Sequence, residues 1–353
     1  MTMLSWLLVP LALALALWPL GHPSAQSRVE TVVSGLEVPW ALAFAPDGTL
    51  YVTERPGLIR VVKNGRLDPK AVATLTVAAR GESGLMGLAL DPEFAKNGHL
   101  YTCYTMERRG SGALINRVVR FAVRGGLATD EHVLIDDMPG NVFHDGCRLK
   151  FGPDGKLYVT MGDAGQDRLA QQRDSLAGKI LRINADGSVP ADNPFQGSPV
   201  WTLGHRNSQG LAWDSRGRLF ESEHGPSGFP GGHDEINLIQ PGKNYGWPEV
   251  YGKSGDGRFV APLIESGRDT WAPSGIAILG DHLYVTALRG KRLLRFRLSG
   301  DGVVADGDWL KGTHGRLRDV VVGPDGALYV ATSNHDGRGS PASEDDRILR
   351  VWP

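Results

Sequence analysis

Along most of the chain, short apolar runs alternate with turns, and no long stretch carries the period of an amphipathic helix. One phrase recurs: an apolar run, a turn with Pro-Asp-Gly or a variant, then an apolar-aromatic strand. It reads LAFAPDGTLYVTE at Leu42–Glu54, LKFGPDGKLYVTMGD at Leu149–Asp163 and VVVGPDGALYVATS at Val320–Ser333. Looser copies lie at Leu88–Tyr104, Leu211–Gly225 and Ile276–Leu288. The equivalent aromatics are Tyr51, Tyr101, Tyr158, Phe220, Tyr284 and Tyr329, roughly 45 to 65 residues apart. Each phrase predicts a β-hairpin, because Asp-Gly supplies a tight turn and the flanking residues favour strands.

A second phrase follows each hairpin, with an apolar–Arg–apolar core in five of the six copies. It appears around Arg60, Arg120, Arg182, Arg295 and Arg350, and becomes Asn237-Leu238-Ile239 in the fourth copy. These segments predict third strands with the arginine on the wetter face. Six such pairs predict an all-β chain: a six-bladed β-propeller with four-stranded antiparallel blades. The chain ends on a third-strand phrase, so Arg28–Val33 is expected to supply the last outer strand and close the ring. Two packed sheets would not explain six matched hairpins.

The N-terminal segment breaks the pattern. Leu4–Leu20 is almost purely apolar and short for a membrane span, and small residues follow it. Residues 1–25 are expected to be a signal peptide and residues 26–353 the propeller, exported to the periplasm or beyond with no membrane span after processing. An uncleaved anchor is the alternative. Formal net charge is −1 with both signs interspersed, which argues against a nucleic-acid partner. Cys103 and Cys147 are the two cysteines; an exported chain can pair them, and two buried thiols fit equally well. No CxxCH haem-attachment motif is present.

Polar clusters fall where the repeated strands begin and end. His144 precedes the third hairpin and Asp163 ends it, so adjacent strands would bring them to one rim. A histidine there can take a proton, with a carboxylate fixing its tautomer; a surface histidine and a turn aspartate would look the same. Gly204–Gly210 (GHRNSQG) opens blade four with Arg206 and Asn207, and a plain charged loop is the other reading. Ser222–Pro226 (SEHGP), Asp234–Asn237 and Asn244–Pro248 supply carboxylates and irregular backbone of the kind calcium takes. Arg289, Arg316 and Arg318 flank the last two hairpins. Converging arginines imply an anionic ligand, whereas scattered ones are merely solvated.

Taken together, GESGLMGLALDPEF (Gly81–Phe94), LGHRNSQGLAW (Leu203–Trp213), SEHGP and DEINLIQPGKNYGWP (Asp234–Pro248) resemble the soluble PQQ-dependent aldose sugar dehydrogenases of the glucose/sorbosone dehydrogenase family. The likeness runs from about Gly35 to Val351. It implies PQQ and Ca2+ as cofactors, an aldose as substrate, a lactone as product and an external electron acceptor. His144 would be the base, Asp163 its supporting carboxylate, and Arg206 a charge-stabilising group. Asn207, Thr270, Arg289, Arg316 and Arg318 would hold PQQ. The carbonyls of Gly225 and Pro226 would bind its calcium, and Glu235 and Tyr245 a second, structural calcium.

Two positions depart from the pattern. Glu82 is the remaining cofactor-binding candidate, standing where relatives often carry Gln, and a carboxylate facing an anion is unfavourable unless protonated or paired. Arg289 replaces a Lys of some relatives, keeping charge but not shape. The long insertions of the dimeric glucose enzymes are absent, which implies a monomer or weak dimer. Propeller lactonases, esterases and non-catalytic sugar-binding platforms share the fold. Arginines beside a His–Asp pair suit an anionic redox cofactor better than either.

Overall fold

The computed structural model describes residues 28–228 and 231–353; the expected signal segment lies outside them. The recurring phrases fold into six antiparallel sheets. Blade one holds Pro39–Phe44, Leu50–Glu54 and Leu58–Lys63, with an outer edge split into Arg66–Leu67 and Ala73–Thr74, both paired to the third strand. Blade two is Leu85–Leu90, His99–Glu107, Leu114–Arg124 and Leu127–Pro139. Blade three is Gly146–Phe151, Leu157–Met161, Lys179–Ile183 and Val200–Leu203. Blade four is Ser208–Trp213, Leu219–Glu223, Glu235–Ile239 and Ile264–Glu265. Blade five is Pro273–Leu279, His282–Ala287, Arg292–Ser299 and Gly302–Trp309. Blade six is Leu317–Val322, Leu328–Thr332 and Ile348–Val351, completed by Val29–Val33. That last strand pairs Val29 with Val351 and Thr31 with Leu349, so the two ends of the described chain share one sheet and close the ring.

The first strand of each blade packs against the first strands of its two neighbours, and together they surround a central channel. Close approach there sets residue choice: a Cβ on Gly87 would lie 2.0 Å from the Cys147 carbonyl oxygen. Second strands are covered on both faces. Leu50–Glu54, Leu157–Met161 and Leu219–Glu223 are buried throughout, and truncating a side chain such as Leu157 to Ala costs about 2–5 kcal/mol in such cores.

The Asp-Gly turns do two jobs. Asp154 accepts the Lys156 N–H through one oxygen and the Tyr158 hydroxyl through the other. Asp325 does the same with Ala327 and Tyr329. Four of the six aromatics also meet the next blade edge-on: Tyr51 meets Phe94, Tyr101 Phe151, Tyr158 Trp213 and Tyr329 Phe44. The turn is thereby bolted to its own hairpin and to its neighbour.

One third-strand arginine departs from expectation, and blade four lacks its arginine as the sequence shows. Arg182 is buried rather than on a wet face, because Asp154, Asp192 and Asn193 enclose its guanidinium. In blade four Leu238 stands opposite Phe220, the place held by arginine opposite Tyr101, Tyr158, Tyr284 and Tyr329. Cys103 and Cys147 form a disulfide with Cα atoms 5.5 Å apart, tying blade two to blade three.

Candidate active site

His144 lies on the loop entering blade three, with a left-handed backbone (φ 60°). Several ties impose that shape. Its N–H donates to Glu82 Oε2 at 3.2 Å, and its carbonyl accepts the Ala164 N–H at 3.1 Å. Gly162 is required beside it, since a Cβ there would fall 1.9 Å from the His144 oxygen. Asp163 follows the second strand of the same blade, and Asp163 Oδ1 sits 2.8 Å from His144 Nδ1. The Gly165 N–H and the Trp247 indole Nε1–H also donate to this carboxylate. The carboxylate is buried and the histidine partly open. The ionised acid therefore accepts from Nδ1–H, leaving the Nε2 lone pair toward the cavity.

The cavity at this mouth of the channel measures about 800 Å3. Its wall carries His144, Glu82, Arg206, Thr270, Arg289, Arg316, Arg318, Gly225 and Pro226, all of which the sequence singles out. It also carries Arg55, Arg268 and Arg338, which the sequence does not single out, and His224, which lies in the SEHGP cluster without an assigned role. Seven arginines thus face three acids, Glu82, Asp234 and Asp336. Arg316 is paired with Asp336 at 2.7 Å, but Arg318 finds only the neutral Gln209 and Ser274 side chains. Burial, with Arg316 and Arg55 close by, brings Arg318 down to about 9. Arg55 Nε, Arg206 Nε, Arg318 Nε and His224 Nε2 are buried without hydrogen-bond partners. This is a cradle of unspent donors and positive charge, the chemistry that fits a carboxylate-rich ligand such as PQQ.

Glu82 is paired, as its position demands: Arg338 reaches it from the other side of the rim. Burial alone would raise its pKa, but His224, Arg338 and the His144 N–H outweigh burial and hold it at about 2. Asn207 lies beneath the cavity wall, buried, with its Oδ1 accepting the Gly146 N–H and its Nδ2 unpartnered. No hydrogen bond is made to the Gly225 or Pro226 carbonyl among the described residues, so both oxygens are free to take a cation.

Glu235 and Tyr245 do not reach this cavity. They border a small separate one beside Glu223 and Trp247. The Tyr245 hydroxyl already donates to the Leu238 carbonyl and accepts the Gln240 N–H, which leaves its backbone carbonyl as the freer oxygen for a cation. Glu235 belongs to a wholly buried acidic group with Glu221, Glu223 and Asn237. Asn237 bridges Glu221 and Glu235, and Glu223 pairs with His205. Burial pushes Glu221, Glu223 and Glu235 each up to about 8, with nearby carboxylates adding to it. Glu221 Oε1 and Asn237 Oδ1 have no partner. Oxygen donors with unmet valence fit a hard cation such as calcium. The signal was present in the sequence: Glu221 occupies the second-strand slot filled by Val52, Val159, Val285 and Val330 in other blades.

Comparison with known proteins agrees with this geometry. The profile described as Glucose / Sorbosone dehydrogenase matches residues 36–340. The aldose sugar dehydrogenase YliI of Escherichia coli is 34% identical over 369 residues, covering 94% of this chain and 96% of the relative. A PQQ-bound aldose sugar dehydrogenase structure from Streptomyces coelicolor superposes with a TM-score of 0.84 at 41% identity, covering 94% of this chain and 99% of that one. An oxidoreductase assigned as a glucose dehydrogenase from Thermus thermophilus gives 0.87 at 49% identity, covering 92% and 100%. With the propeller, the His–Asp pair and the cationic cavity in place, the chain belongs to the glucose/sorbosone dehydrogenase family.

Proposed function

We propose that this chain oxidises aldose sugars at C1 to the lactone, with PQQ and calcium as cofactors. The observation that carries the reading is an excess of arginine over acid around a cavity whose wall presents the histidine of a His–Asp pair. Bound PQQ would supply the hydride acceptor, a role no side chain here can fill. Arg289, Arg316, Arg318, Thr270 and the Asn207 amide would hold it, and the Gly225 and Pro226 carbonyls would hold its calcium. Glu235, the Tyr245 carbonyl and the neighbouring buried oxygens would hold a second calcium. Glu82, spent on Arg338 and the His144 N–H, would border the cofactor rather than bind it.

The chain's own groups then divide the work. His144 Nε2 takes the anomeric hydroxyl proton as the C1 hydrogen departs as hydride, and Asp163 stabilises the imidazolium that results. Arg206 places a fixed positive charge at the same wall, where negative charge develops. Export, action as a monomer or weak dimer, and delivery of electrons to an external acceptor belong to the same proposal. A disulfide between buried cysteines supports export. The test is dye-linked aldose oxidation by the apo-protein. Activity that requires both PQQ and calcium is expected; inactivity across a panel of aldoses with both present would contradict the proposal and direct attention to lactone hydrolysis.

A further inference from the structure

The Asp163 carboxylate has two oxygens with different partners. Oδ1 serves His144 and the Gly165 N–H. Oδ2 has one hydrogen-bond donor among the described residues, the indole Nε1–H of Trp247 at 2.9 Å. The same indole lies against the Arg206 guanidinium, with 5.3 Å between the guanidinium carbon and the ring centroid. Trp247 does not line the large cavity, so it meets both reactive groups from behind.

Its own placement is rigid. The Trp247 N–H donates to the Gly204 carbonyl, and its carbonyl accepts Gln171 Nε2 at 2.6 Å. Tyr245, two residues earlier, donates its N–H to Leu203, and Gly252, five residues later, donates to Glu235. The loop is therefore fastened to blades three and four on either side of the indole.

We infer that Trp247 is a positioning residue for the reaction, orienting Asp163 and hence the His144 base while its ring face sets the Arg206 guanidinium. The inference rests on the assignment of His144 as base. Without the indole N–H, Asp163 Oδ2 is a buried charged oxygen with no donor, free to rotate or to pull harder on His144 Nδ1–H. A carboxylate that has lost a donor is a stronger base, so it stabilises the imidazolium more. The acid limb of the kcat/KM profile then moves to higher pH. Arg206, Glu82, His224, Asp145 and Glu223 also face this pair, and a Trp247 substitution changes none of their charges.

The test compares wild type with Trp247→Phe, both loaded with PQQ and calcium. We expect kcat to fall about tenfold to a hundredfold, the scale of a lost hydrogen bond to a charged group. KM should change little and the acid limb should shift upward. In parallel, the imidazole titration of His144 is followed by NMR in the apo-protein, where the variant should titrate at higher pH than wild type. A loss of thermal stability with unchanged kcat, limb and imidazole titration would make Trp247 merely structural and overturn the inference. If wild type oxidises no sugar, the proposed function fails while the titration still decides the coupling. Should the Phe variant not fold, a benzothiophene analogue at 247, which keeps the ring shape and deletes only the N–H, gives the same readout.

Discussion

Two regions of this molecule gather opposite kinds of ionisable group, one at an open rim and one in a closed interior. The channel mouth gathers seven arginines against three acids. The interior of blade four gathers Glu221, Glu223 and Glu235 with one histidine, which burial pushes down to about 4 and so keeps neutral. In each place, hydrogen-bonding atoms are left without partners. A folded chain avoids burying one sign of charge alone. Under the proposed function each imbalance would mark a ligand of the other sign: an anion in the open cavity, a cation in the closed one. The open site could exchange its ligand with solvent, whereas the closed one would be filled once and hold the blade together.

The comparison can be broken from either side. The largest effect is expected at the base: His144→Ala should lower turnover by about 10² to 10⁴-fold, with PQQ titration nearly unchanged. Parallel loss of PQQ binding would make His144 structural. Next, Arg318→Ala should weaken PQQ binding about tenfold to a hundredfold, as removal of one charged contact does; an unaltered titration curve would take it out of the cradle.

Calcium removal probes the acidic region. At a hundredfold excess over its dissociation constant, a bound ion adds about 2.7 kcal/mol. Chelation should therefore lower the melting temperature of wild type by several degrees and that of Glu221→Gln by less. Equal melting curves with and without chelator would leave the acids merely protonated. The smallest effect sharpens the rule. Asp145 is buried, and although the Asn141 N–H and Asn116 amide donate to it, burial pushes it up to about 7. The folded state thus keeps a proton that the unfolded state loses near 3.8. Stability should fall as pH rises from about 4 to 7 and stay lower above. Asp145→Asn should flatten that slope in melting temperatures taken between about pH 4 and 8. Asp145 sets the reference: if protonation alone satisfied the three glutamates as it does this acid, chelation would change nothing.

The blades were legible because each repeats the same hairpin phrase, and in blades two, three and six a turn aspartate is bolted to the strand tyrosine. Ring closure was legible because the last blade lacked a strand. His144, Asp163 and the arginines of the late blades could be found at strand ends. Arg55, Arg268 and Arg338 could not, since single residues on rim loops carry no periodic signal and meet only through closure across the ring, as Glu82 and Arg338 do. The acidic group was readable in principle. Glu221 breaks an apolar slot, but the sequence reading attended to Glu235 and Tyr245. The burial of Arg182 was missed because Asp192 and Asn193, which enclose it, lie beyond its own strand.

The central claim is that the arginine-lined cavity is a quinone site served by the His144–Asp163 pair. The most direct measurement is an optical titration of the apo-protein with PQQ in calcium, followed by an aldose. The account predicts saturable, stoichiometric binding and a spectral change of the bound cofactor to its reduced form on adding sugar, without the second step in His144→Ala. Failure of PQQ to bind, or binding with no response to any aldose in wild type, would contradict it.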